Sequence, residues 1–283
     1  MENSRRSFFK NAGTGVLTLS LSSTFLSGNL LATSKKEVTD KKEDMFDIGI
    51  AGYTFVKFKL EPSLEMTEQV GVKYLCIKDF HLPLDSTSGQ ITEFLEKLKA
   101  KGITGYGVGP IYMSSETEVD KAFDYAKRVG VTLIVGVPEH ELLPYVDKKV
   151  RQYGFHYAIH NHGIEDKRYP SVESIYAKVK DLDSRIGICH DIGYSAQMGF
   201  DPASVTLKYG HRIYEMHIKD MTEGSPKGID CIIGRGIVDF PSLIKALRKT
   251  KYNGKCSIEM ASVDPLPVIA ESVGYFKGVI RAV

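Results

Sequence analysis

The chain of 283 residues has no tryptophan and only four cysteines, at positions 76, 189, 231 and 256. Four sparse thiols exclude a disulfide-stapled scaffold. Cys76, Cys189 and Cys256 sit inside short apolar runs, where a thiol packs as a small hydrophobe. Charge of one sign is also scarce. The formal charge is +2, and three basic side chains against one acidic fall within the first 34 residues, so the rest of the chain is neutral. A neutral body gives little electrostatic reason to expect nucleic acid or an anionic membrane as partner. With 42% hydrophobic and 25% charged residues the chain is neither disordered nor collagen-like, and its length is enough for one large domain.

The amino terminus has a different character. Ser4-Arg5-Arg6-Ser7-Phe8-Phe9-Lys10 precedes an uncharged stretch, 11–34, that carries Val16, Leu17, Leu19, Leu21, Phe25, Leu26, Leu30 and Leu31. A basic head before a modestly apolar segment rich in Gly, Ser and Thr is the order of a secretory signal, and the paired arginines resemble a twin-arginine export signal. The expectation is a periplasmic protein. Residues 1–34 are then the signal, 35–45 (KKEVTDKKEDM) a charged linker and 46–283 the folded body. The hydroxyls of the apolar segment speak against its being a membrane anchor, and no stable membrane association is expected once the signal is removed.

From Phe46 onward one phrase repeats: an amphipathic helical stretch, a glycine, then a short run of β-branched or aromatic residues. The joints carry Gly71, Gly102, Gly130, Gly154, Gly210 and Gly254, each placed to end a helix in a left-handed cap. The pattern predicts strands near 46–52, 73–79, 104–109, 131–137, 155–161, 186–191, 213–219 and 255–260. Helices are predicted near 61–70, 88–101, 115–129, 141–153, 171–182, 201–209, 240–250 and 265–282. Eight strands each followed by a helix predict an α/β chain folded as a single-domain (β/α)8 TIM barrel. Ala51-Gly52-Tyr53-Thr54 is not the Gly-rich phosphate loop that an open doubly wound sheet would carry after its first strand.

In such a barrel the active site is built at the C-terminal strand ends. Those ends are rich in polar residues: Lys78, Asp79 and His81 after strand 2; Glu139 and His140 after strand 4; His160-Asn161-His162 with Glu165 and Asp166 after strand 5. Strand 6 ends in His190-Asp191, strand 7 in His217-Ile218-Lys219-Asp220 and strand 8 in Glu259. Imidazoles and carboxylates converging on one mouth are hard to stabilise without a divalent cation. Oxygen and nitrogen donors without thiolate suit manganese, magnesium, cobalt or zinc.

At these residues the chain resembles the xylose isomerase-like TIM barrels, the group of sugar phosphate isomerases and epimerases, over about 46–283. The resemblance lies in AIHNHGIEDKRYPS (158–171), GICHDIGY (187–194), YEMHIKDM (214–221), IIGRGIVDFPSLIKAL (232–247) and YNGKCSIEM (252–260). It implies a metal held by a Glu of the strand 5 region, an Asp, a His and a Glu, and Asp191, His217 and Glu259 fill the last three places. The usual Glu-Asn-His is replaced by His160-Asn161-His162. Either His160 takes the fourth place or Glu165 swings back to it, and a ligand charge of minus three, suited to a hard cation such as Mn²⁺, favours Glu165.

The resemblance implies proton abstraction beside a carbonyl of a small carbohydrate, giving isomerisation or epimerisation. Elimination from a 3-keto-glycoside or inosose, by a lyase or dehydratase, is an alternative, and a non-catalytic sugar-binding barrel a further one. Glu259, Glu139 and His162 are the base candidates, and Lys219 and Arg235 would steady oxygens that become negative. His160, Asn161, His190, Arg235 and Lys78 are candidate substrate contacts, and Tyr53, Phe55, Tyr106 and Tyr112 could stack on a sugar. No phosphate cradle is evident in the strand 7–8 loops, which points to a non-phosphorylated substrate. AP endonucleases share the fold, but the neutral body and the absence of tryptophan argue against nucleic acid. Members of the resembled family form dimers and tetramers, so a homo-oligomer is an open expectation.

Overall fold

The computed structural model describes residues 44–283, so the export signal and nearly all of the proposed linker lie outside the described residues. Eight parallel strands close into a barrel: β1 Asp47–Ala51, β2 Tyr74–Ile77, β3 Thr104–Met113, β4 Leu133–Pro138, β5 His156–His160, β6 Ile186–Asp191, β7 Ile213–Ile218 and β8 Lys255–Ile258. β1 pairs with β8 through Ile48 opposite Cys256 and Ile50 opposite Ile258, which closes the ring. The strands are short because each is buried on both faces and spans only the height of the barrel. β3 runs four residues beyond its predicted end, through Gly109. There φ is +126° and a Cβ would meet the Val135 carbonyl oxygen at 2.1 Å, so only glycine lets β3 lie this close to β4.

Among the described residues nine α-helices surround the strands: α1 Leu60–Gln69, α2 Ser88–Ala100, α3 Glu116–Val129, α4 Leu143–Tyr153, α5 Val172–Val179, α6 Ile192–Gln197, α7 Pro202–Tyr209, α8 Phe240–Thr250 and α9 Pro265–Ala282. Side-chain caps fix the starts of six of them. Thr87 and Gln90 form a capping box on α2, and Ser115 accepts from Glu118 N on α3. Left-handed glycines follow the helices at Gly71, Gly102, Gly130 and Gly154, as the sequence predicts. The other two joints differ. Gly210 has φ −52° and is needed for space, since a Cβ would meet the Thr250 side chain at 2.8 Å. After α8 the left-handed position is Lys251, at φ 54°, instead of Gly254.

The main core lies between barrel and helices, around Phe123, Phe155, Tyr157, Phe240 and Phe276. A small second cluster, Cys76, Val135, Ala158 and Cys189, fills the barrel interior. All four cysteines are free, and Cys231 alone is only partly buried. Among the described residues no helix is long and apolar enough to cross a membrane.

Candidate metal centre and active site

Period-two alternation along the strands decides which side chains enter the barrel. On β6, Cys189 and Asp191 face inward while His190 faces α6, where its Nε2 lies 2.9 Å from Ser195 Oγ. His190 is therefore a buried structural residue, away from the cavity where the sequence had placed a substrate contact, and burial holds its pKa down at about 4. Asp191 does two things at once. Its Oδ1 caps α6 by accepting from Tyr194 N at 3.0 Å, which turns Oδ2 into the barrel mouth.

There Asp191 meets His160 from β5, His217 from β7 and Glu259 just beyond β8. One ligand atom from each of the four lies within 4.8 Å of the others, and all four residues are buried. His160 Nε2 is 3.0 Å from His217 Nδ1 and 3.4 Å from Asp191 Oδ2, and His217 Nδ1 lies directly against Glu259 Oε2. Lys219 Nζ sits between the carboxylates, 3.1 Å from Asp191 and 3.5 Å from Glu259, and 4.6 Å from the Tyr194 ring centroid. Its path depends on Gly193, because a Cβ there would stand 2.6 Å from Lys219 Cβ.

Burial pushes the Asp191 carboxyl up, but Lys219 and His160 more than offset it and hold it at about 2. Glu259 is likewise held well below the carboxylate range by His217 and Lys219 against its burial. Burial lowers His160 to about 3, only partly opposed by Asp191, so it is a neutral imidazole. Asp191 Oδ2 and Glu259 Oε2 are buried and met only by the charged contacts to Lys219, His160 and His217, and His217 Nε2 is buried without a partner. Carboxylates buried this deeply are costly to keep charged, and a divalent cation between two imidazoles and two carboxylates would engage both. The residues present fit such an ion.

Glu165 is not among them. Asp166 Oδ1 accepts from Arg168 N and Tyr169 N, which closes the loop after β5 and turns Asp166 inward while its neighbour Glu165 faces solvent. The imidazole of His160 occupies the place the charge argument had given to Glu165. Asp166 Oδ2 instead lies 3.3 Å from His162 Nδ1, and His162 Nε2 is 2.9 Å from both His160 Nδ1 and Tyr112 Oη.

A cavity of about 410 Å³ opens onto the cluster, lined by Tyr53, Lys78, Tyr112, His162, Tyr194, Lys219 and Asp230 among others. Lys78 Nζ is fixed there by Asp79 at 2.8 Å and by the Pro110 carbonyl at 2.7 Å. Three further sequence candidates lie elsewhere. Glu139 is paired with Arg168 at 2.9 Å and does not line the cavity. Arg235 points outward to Glu271 at 2.6 Å, because its loop is pinned by Asp220, which accepts from Gly234 N, Gly236 N and Val238 N. Asn161 exchanges two hydrogen bonds with the Asp191 backbone and so ties β5 to β6. Of the aromatic candidates Tyr53 and Tyr112 line the cavity, Phe55 is buried in the core, and Tyr106 lies deeper, bonded to Glu215.

Two contributors escaped the sequence reading. Tyr194 was part of a quoted motif with no role attached, although its place three residues after Asp191 puts it on the first turn of α6. Asp230 enters from a two-stranded ribbon, Asp220–Met221 with Asp230–Cys231, in an aperiodic segment that carries no signal.

Comparison with known proteins follows from this geometry. The family model of the xylose isomerase-like TIM barrel matches residues 51–279. The rhizopine catabolism protein MocC of Rhizobium meliloti is 29% identical over 133 residues, a match that covers 42% of this chain and 40% of that relative's length. An uncharacterized protein of Parabacteroides distasonis has 26% identity and a TM-score of 0.66, covering 83% of this chain and 99% of its own. The IolI protein, solved with a zinc atom, has 17% identity and a TM-score of 0.67 over 84% of this chain and 99% of its own, a likeness of fold alone. The chain belongs to the xylose isomerase-like TIM barrel family.

Proposed function

We propose that the protein is a divalent-metal-assisted isomerase or epimerase that moves a proton beside the carbonyl of a non-phosphorylated sugar, keto-sugar or inosose. The observation that carries this reading is the convergence of His160, Asp191, His217 and Glu259, one ligand atom of each within 4.8 Å of the others, on the floor of the mouth cavity. The names of the relatives agree with it, one a catabolism protein and one a zinc-bound barrel. A divalent cation held by these four would polarise a bound carbonyl and make the adjacent C–H acidic. With two imidazoles in the donor set, cobalt or zinc fits at least as well as manganese.

The chain's own groups supply the rest. Glu259 is an ionised carboxylate lining the cavity and is the first choice of base. Lys219, a fixed cation beside it, steadies an oxygen that gains negative charge. If His160 turns Nε2 to the ligand group, its Nδ1 keeps the hydrogen and donates to His162 Nε2, which places the His162 hydrogen on Nδ1, toward Asp166. His162 then orients His160 instead of taking a substrate proton. A phosphorylated substrate would need free cations, whereas Lys78 and Lys219 in the cavity are both paired with carboxylates.

The test is deuterium exchange in heavy water, with protein loaded in turn with Mn²⁺, Co²⁺ and Zn²⁺, against free sugars, inososes and 3-keto-glycosides. Deuterium entering a substrate carbon only in loaded protein supports the reading, and the product mass separates isomerisation or epimerisation from elimination. Bound metal with no exchange on any of them contradicts it and leaves a sugar-binding barrel. Export is part of the proposal: replacing Arg5 and Arg6 by lysine should retain the protein in the cytoplasm on cell fractionation.

A further inference from the structure

Beside the mouth lies a second, larger cavity of about 580 Å³, between the loop after β2 and the first turns of α3. The two cavities share Lys78, Pro110 and Tyr112 as a common wall, and the Tyr112 side chain is 53% exposed at that junction. Nothing in the proposed chemistry uses this groove. The mouth alone falls within the roughly 300–1,000 Å³ of a small-ligand site, so a single sugar ring would leave the groove empty.

Its lining has a definite chemistry. Four carboxylates and three cationic side chains face it, together with the apolar groups of Leu84, Pro110 and Ile111. Charges of both signs disfavour a phosphate or an ammonium ligand. They suit neutral hydroxyls, each of which donates and accepts, while the apolar groups suit the C–H face of a pyranose. Parts of the wall are already fixed. Glu118 Oε2 accepts from Ser114 N at 2.6 Å and from Ser114 Oγ at 2.7 Å, and the Arg128 guanidinium donates to the Ser86 and Leu84 carbonyls at 2.5 and 2.6 Å. The side chains of Asp85 and Lys121 make no hydrogen bond or close ion pair among the described residues, Lys121 acting on Glu118 only through its charge, and are left for a ligand.

From this we infer that the site takes a glycoside or disaccharide, with one ring at the buried cluster and a second hydroxyl-rich ring in the groove across Tyr112. The inference deepens the carbohydrate reading and rests on it. The test is titration calorimetry of the Zn²⁺-loaded protein with D-glucose, methyl β-D-glucoside, cellobiose and maltose. At least one disaccharide should bind about tenfold more tightly than either one-ring probe, roughly 1.4 kcal/mol. In an Asp85→Ala/Lys121→Ala variant that ratio should fall toward one. Equal affinity of one-ring and two-ring probes overturns the inference and leaves the carbohydrate reading standing. A ratio unchanged in the double variant also overturns it. Failure of all four probes to bind also overturns the inference, while the carbohydrate reading is decided by the deuterium exchange on keto-sugars and inososes.

Discussion

Two layers of the barrel interior bury acidic groups and treat them in opposite ways. In the deeper layer Glu215 lies between Tyr106, which donates to it at 2.5 Å, and the thiols of Cys76 and Cys189. Burial lifts its carboxyl to about 7, and His217 and Tyr106 only partly oppose this. At the mouth Asp191 and Glu259 are as deeply buried, yet Lys219, His217 and His160 hold both ionised. Burial alone thus does not decide the charge of a carboxylate; the cations aimed at it do. One proton nearly neutralises the deeper layer. The mouth sets two negative charges against Lys219 and against His217, whose pKa is raised because Glu259 outweighs its burial, and a divalent ion bound there would displace that imidazole proton.

That contrast can be broken most sharply at the mouth. His217→Ala should weaken metal binding by more than about 100-fold, beyond the 10–100-fold cost of losing an outer partner, as read by equilibrium dialysis with elemental analysis. Lys219→Met should lower turnover by roughly 10²–10³ while metal stays bound, because it removes a charge aimed at the developing oxyanion and no ligand. Gly193→Ala should cost about 1–3 kcal/mol in thermal unfolding, since its Cβ overlaps the Lys219 stem.

The deeper layer should respond to pH instead of metal. Because folding raises the Glu215 pKa from 4.5 to about 7, the stability it contributes is present below pH 4.5 and is lost as the pH rises to 7. Glu215→Gln should therefore gain stability relative to the parent across that window and level off above it, with metal affinity nearly unchanged. His190 shows the opposite sign. Its pKa falls from 6.5 to about 4, so the unfolded chain takes up a proton first and stability drops as the pH falls through that range. His190→Gln should flatten that part of the melting profile. Glu139→Gln, at an exposed pair, should move stability by less than about 1 kcal/mol.

Much of this was legible in the sequence because barrel strands, buried on both faces, leave short apolar runs, with a glycine at most of the helix ends before them. Asp191, His217 and Glu259 were readable as strand-end positions, where backbone direction fixes the side chain. Arg235 and Asn161 were not, since partners remote in sequence orient them, and the local contacts that turn Glu165 and His190 away leave no mark in residue type. Asp220 pins the loop that turns Arg235 away, and Ser195 draws His190 toward α6. Counting charge favoured Glu165; the backbone bonds to Asp166 place that carboxylate in solvent and leave His160 inside.

In the proposed metal centre it is His160, in place of a carboxylate, that completes the ligand set. The direct measurement is the metal content of the parent, His160→Ala and Glu165→Ala proteins after dialysis against equal Mn²⁺, Co²⁺ and Zn²⁺. Near-stoichiometric metal in the parent and in Glu165→Ala, with its loss in His160→Ala, is the predicted result; metal kept by His160→Ala and lost by Glu165→Ala would contradict it.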